Sequence, residues 1–131
     1  MTDFQKACVR LLREKYPEAL IVTEEITAGM QRPCFQVICG EISLRKEMGR
    51  RWRKEEKLLV YWYPPEGDEP QDKETELQML LRTAARGVGT AAEREKGRLK
   101  LELTLSQILF MDEEEADLMK KLLLRLGEES R

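Results

Sequence analysis

Leu99, Leu101, Leu103 and Leu105 alternate with Lys100, Glu102 and Thr104. Four leucines on one parity make a strand with one face on a core and the other toward water. A chain with such a strand must also supply the rest of a sheet and helices to cover it. The first helix is expected over residues 3 to 16, where Phe4, Ala7, Cys8, Leu11 and Leu12 form one stripe. Thr2 or Asp3 can cap its free amides, and Pro17 cannot continue it. A second is expected over 72 to 88, with Leu77, Leu80, Leu81, Ala84 and Val88 at helical spacing and Gly87 and Gly89 closing it. In the third, Asp112 to Glu115 complement the positive helix start, while Lys120, Lys121 and Arg125 lie toward the negative end. Leu118, Leu122 and Leu126, with Met119 and Leu123, are its expected apolar side, and Gly127 its end. Leu122, Leu123 and Leu124 are consecutive and cannot all face one core. Their surplus implies either a second subunit or burial on two sides within the monomer.

Three more strands complete the sheet. Ala19 to Thr23 is a short one built on Ile21, Val22 and Thr23. In Cys34 to Arg45, the residues Phe35, Val37 and Cys39 share one parity, whereas Ile42 and Leu44 fall on the other. Gly40 sits at the phase break, which predicts a bulge there. Arg53 to Tyr63 ends in the continuous run Leu58 to Tyr63, the pattern of a central strand covered on both faces. Glu47 to Arg50 turns the chain between these two, and Pro64 to Asp68 ends the second. Glu24 to Pro33 is a polar loop. The order α-β-β-β-α-β-α predicts an α+β fold, with a mainly antiparallel four-stranded sheet, a long β-hairpin and packed helices. With 131 residues and no internal repeat or linker, residues 1–131 are expected to form one domain.

Composition narrows the chemistry. The absence of histidine removes Ser-His-Asp and Cys-His catalysis and histidine zinc sites. Cys8, Cys34 and Cys39 are odd in number and too few for a ligand set, so they read as small buried residues. Carboxylate neighbours such as Glu24-Glu25 and Asp68-Glu69 lie in loops and not across a cleft. Gly87-Val88-Gly89 lacks the third glycine of a phosphate loop. The chain is expected to be no enzyme, with no catalytic, cofactor-binding or metal-binding residues. No signal peptide is evident at Met1 to Phe4, and no apolar run approaches the ~20 residues of a membrane span. The expected compartment is a cytoplasm, without a membrane partner.

One segment stands apart. Residues 45 to 54 hold six basic side chains and one acid, although the whole chain has a net charge of -2. The candidate contact residues are Arg45, Lys46, Met48, Arg50, Arg51, Trp52, Arg53 and Lys54. Arginine forks there suit phosphates or an acidic protein surface, and Trp52 is an amphipathic side chain of the kind that anchors interfaces. The plainer reading is a solvated hairpin end whose charges prevent edge-to-edge aggregation. Nucleic-acid binding through a β-ribbon is the third.

Three blocks in order carry a resemblance: Gly29 with Arg32-Pro33-Cys34-Phe35-x-Val37, then Glu47-Met48-Gly49-Arg50-Arg51-Trp52-Arg53, then Tyr61-Trp62-Tyr63-Pro64-Pro65. They resemble the small tail terminator, or tail completion, proteins of phages and defective prophages. The resemblance implies a structural protein of the virion or of a phage-tail-like particle, made in the bacterial cytoplasm. It implies a ring, usually a hexamer, on the head-proximal end of the tail tube that stops tube growth. Its partners would be other copies of itself, the tube protein, and the head connector or sheath end, with DNA in the lumen as a further contact. Another neck protein, such as a head-completion factor, is the neighbouring alternative.

Overall fold

A computed structural model describes residues 1–24 and 31–129, with side chains as far as Arg125. The elements are α1 (Asp3–Lys15), β1 (Leu20–Val22), β2 (Cys34–Met48), β3 (Arg51–Tyr63), α2 (Glu74–Leu81), β4 (Val88–Glu95), β5 (Arg98–Phe110) and α3 (Glu113–Glu129). The fold is α+β, and the sheet has five strands in place of the expected four, in the order β1-β2-β3-β5-β4. β1 runs parallel to β2, and the other neighbours are antiparallel. β4 is the strand that the sequence hid. Its Gly89, Ala91, Ala92 and Glu93 have low strand propensity, and pairing with the leucine-rich β5, with Val88 and Ala92 against the main core, holds it at the edge. The expected helix over 72 to 88 is correspondingly shorter. Its α-helical part ends at Leu81, single 3₁₀ turns flank it, and Val88 already belongs to β4.

α1 and α2 cover one face of the sheet. Phe4, Cys8, Val9 and Leu12 of α1 and Leu77 and Leu81 of α2 meet Phe35, Val37, Leu58, Val60 and the four alternating leucines of β5. Thr2 caps α1 as expected, its Oγ1 accepting from the Gln5 N–H at 3.2 Å. Tyr16, at the end of that helix, packs at a tilt against Phe35 and Trp62, which stack on each other, and its hydroxyl donates to Glu76 of α2 at 2.7 Å.

The predicted bulge is present. The β2–β3 register shifts between Cys39 and Ile42, so Ile42 and Leu44 return to the covered face used by Phe35 and Val37. Gly40 permits it, because a Cβ there would lie 3.2 Å from the Lys57 carbonyl oxygen. The expectation for β3 needs one correction. Leu58, Val60 and Trp62 are buried, but Leu59, Tyr61 and Tyr63 are only half-buried on the second face, over which α1, α2 and α3 do not pack. Their aromatic rings gain cover from Arg98, whose guanidinium lies 4.1 Å from the centre of the Tyr61 ring.

β2, β3 and β5 all extend beyond the main core, and α3 lies over this distal half. Trp52, Met111 and Ala116 form a second, smaller core with Leu44, Leu109 and Met119 against it. Between the two cores stands Glu56, 5% exposed, which accepts a 2.6 Å hydrogen bond from the Thr2 hydroxyl. The inward side of α3 also differs from expectation. Ala116, Met119 and Leu123 turn toward the sheet, whereas Leu118, Leu122 and Leu124 are 63%, 55% and 70% exposed. A single sheet face accepts one stripe, and Ala116 allows the closest approach. The helix also runs through Gly127 to Glu129 and does not stop at the glycine. The Leu126 side chain and Gly29 lie outside the described residues.

Candidate interface at the distal hairpin

The basic segment occupies the end of β2, the turn and the start of β3. Gly49 makes that turn with a φ of +57°, a left-handed conformation that favours glycine. The segment is no free two-stranded finger. β5 pairs with β3 out to Arg51 and Phe110, and the Met111 N–H donates to the Arg50 carbonyl at 2.8 Å. Three strands therefore reach the tip, with α3 covering one side.

The eight candidate residues divide between two faces. Arg45, Met48, Arg51 and Arg53 stand on the open face, with Met48 78% exposed. Glu47 holds Arg51 and Arg53 together, at 3.0 and 3.1 Å. On the other side Lys46 pairs with Glu113, while Arg50 lies 4.0 Å from Glu115, both on α3. Lys54 is half-buried opposite Gln107. Trp52 requires correction as an exposed anchor. It is 3% exposed, packed beneath α3, with Lys120 and Lys46 over its ring at 5.0 and 5.9 Å. Its parity on β3 is that of Leu58 and Val60, which puts it on the covered face.

The structure adds Ile108 and Phe110 to this surface, beside Arg53 and Arg51 on β5. Sequence reasoning missed them, although a signal existed. Beyond Leu105 the odd positions continue inward to Leu109, so apolar residues at 108 and 110 must face out.

Acid should loosen this end. A hydrogen bond from Arg53 holds the Glu47 carboxyl below its ordinary range, and one from Lys46 does the same for Glu113. Asp112, which caps α3 by accepting the Glu115 N–H at 2.8 Å, is lowered chiefly by that backbone bond. Folded-state values that lie below the unfolded ones contribute stability above the ordinary carboxylate range of about pH 4, lost as pH falls through the lowered values. In a Trp62→Phe background, Trp52 fluorescence should report α3 loosening below about pH 4. Lys46→Met should move that transition to higher pH; an unchanged midpoint would exclude the Lys46–Glu113 pair as a contributor.

The strongest polar interactions here are structural, and the remaining chemistry lies on exposed surfaces. Residues 3–103 match the family model described as phage tail terminator protein, and the chain belongs to that family. Thr104 onward, including the distal half of β5 and all of α3, lies beyond the matched span. A search of curated proteins found no match. Membership makes the chain a structural protein of the phage tail with a role in tail completion. Among the described residues, no helix is long and apolar enough to cross a membrane.

Proposed function

We propose that residues 1–131 act as one tail-terminator domain, and that copies of it close the head-proximal end of the tail tube as a ring of six. The family match over residues 3–103 carries this reading. A subunit that fits the tube on one side, yet lacks the tube's surface for the next subunit, converts an open stack into a finished end. The outer surface of the ring then receives the head connector or the end of a sheath, and DNA passes through the lumen. The distal hairpin, with Arg45, Lys46, Met48, Arg50, Arg51, Arg53 and Lys54, is the contact element, and its charge sets register more than affinity. Glu47, Glu113 and Glu115 offset much of the positive charge, which favours a protein partner over nucleic acid.

The test is tube length. Tube protein polymerised with an excess of this chain should give shorter tubes bearing rings at one end in electron micrographs. Replacing Arg50, Arg51 and Arg53 by glutamate should abolish docking while far-UV circular dichroism stays unchanged. Unchanged lengths and bare ends with the wild-type chain would overturn the proposal. A salt-dependent shift of labelled DNA, lost in the same variant, would favour the nucleic-acid reading instead.

A further inference from the structure

The sheet ends at β1 on one side and at β4 on the other, and the two edges are built differently. A free edge carries a row of unpaired N–H and C=O groups that can accept a foreign strand. Proteins blunt such edges with short strands, bulges, proline or lysine. β1 is three residues long, and beyond it the edge of β2 is broken by register shifts between Cys39 and Ile42 and between Lys46 and Met48. β4 has none of these devices. Its eight residues pair with β5 without a register shift, contain neither proline nor lysine, and include the exposed Gly89 and Ala91. Its charges are answered within the subunit, Glu93 by Lys100 at 3.8 Å, Arg94 by Glu74 at 3.6 Å and Glu95 by Arg98 at 2.6 Å. Among the described residues, nothing pairs with its outer side.

One bond fixes which backbone groups are free. The Ser106 N–H donates to the Gly87 carbonyl at 3.3 Å, so these two residues form a hydrogen-bonded pair. The alternation of an antiparallel ladder then continues along β4. Gly89, Ala91, Glu93 and Glu95 bond to β5, while Val88, Thr90, Ala92 and Arg94 aim their N–H and C=O groups at the free edge. A second β4, laid antiparallel, gives all four a partner in one register alone, with Val88 against Arg94 and Thr90 against Ala92. That register puts Ala91 on the two-fold axis, facing Ala91 of the other copy. It sets Glu93 against Gly89, so no like charges stand opposite one another. On the covered side Glu74 and Arg82 lie over β4, held to Arg94 and Thr90. The two-fold turns Glu74 of one copy toward Arg82 of the other.

We infer that β4 is a docking edge for β4 of a second copy, so that two five-stranded sheets join into one continuous sheet. The contact is isologous and closes on itself, and for that reason it cannot propagate round a ring. It pairs free subunits through a surface separate from the distal hairpin, and it does not depend on the ring reading above.

The test uses the full chain. Sedimentation velocity should show a dimer forming as concentration rises. Over the same range hydrogen exchange should slow at Val88, Thr90, Ala92 and Arg94, but not at Gly89, Ala91 and Glu93, which β5 already protects. Across the axis the two Ala91 Cα atoms would lie about 4.5 Å apart, within reach of a disulfide. Ala91→Cys should therefore give a covalent dimer on mild oxidation. Glu93→Cys, and the wild-type chain with its own three cysteines, should not. Ala91→Lys should weaken the dimer at least tenfold, because two lysines would face each other. Within its own subunit that lysine stands opposite Glu102, so far-UV circular dichroism should stay unchanged. A chain that remains a single subunit at every concentration would overturn the pairing. So would a dimer whose edge amides exchange as in the monomer, or equal cross-linking at positions 91 and 93. Cross-links from Ala91→Cys to tube protein, and none to a second copy, would overturn it as well and assign the edge to the tube.

Discussion

Replacing Trp52 by alanine should release α3 from the sheet. The indole is the largest member of the distal core, and its neighbours Ala116, Met119 and Leu44 are too small or too peripheral to close the gap. Large aromatic truncations of this kind cost about 3–5 kcal/mol. The ion pairs from Lys46 and Arg50 cannot compensate, because their side chains are 48% and 69% exposed and are screened by water. A helix in a protein draws most of its stability from the packing of its apolar face. The expected result is a local opening: α3 amides lose protection in hydrogen exchange, while α1 and the main core keep theirs. Trp52→Phe should retain most of the protection. Wild-type protection of α3 in Trp52→Ala would show that the small core does not hold the helix.

Thr2→Val should lower global stability by about 2–3 kcal/mol, a large effect for a residue so near the start of the chain. The hydroxyl does two jobs. It caps α1 by accepting the Gln5 N–H, and it donates to Glu56 at 2.6 Å in a site only 5% exposed. Valine keeps the shape but leaves a helix amide and a buried carboxylate without their partner. Gln5 joins the same seam, donating from Nε2 to the Val37 carbonyl and accepting from the Cys39 thiol. Burial and the nearby Glu56 push the Cys8 thiol up to about 12, so it remains protonated beside the seam. Removing both partners costs less than removing one. Urea unfolding should therefore show Thr2→Val with Glu56→Leu as more stable than Thr2→Val alone. If the double variant is the less stable, the two residues do not act as a pair.

Much of the fold is legible residue by residue. The alternating leucines of β5, the phase break at Gly40 and the Thr2 cap are local patterns, and the structure realises each of them. β4 is not legible, because glycine, alanine and glutamate form a strand only when a neighbour supplies the pairing. The basic cluster at the hairpin is visible as charge. Its division between a face covered by α3 and an open face is not, because the outward turn of Ile108 and Phe110 becomes significant only once β5 is paired with β3.

Sequence alone determined where most helices and strands begin, which parity of β5 is buried and where positive charge gathers, since these depend on neighbours along the chain. Tertiary structure decided which stripe of α3 meets the sheet, that Trp52 is a core residue, and that Glu56 lies buried beside Thr2. Each depends on residues far apart in the chain competing for the same limited surface. A helix with leucines on several sides has no inward direction until a sheet face accepts one of them.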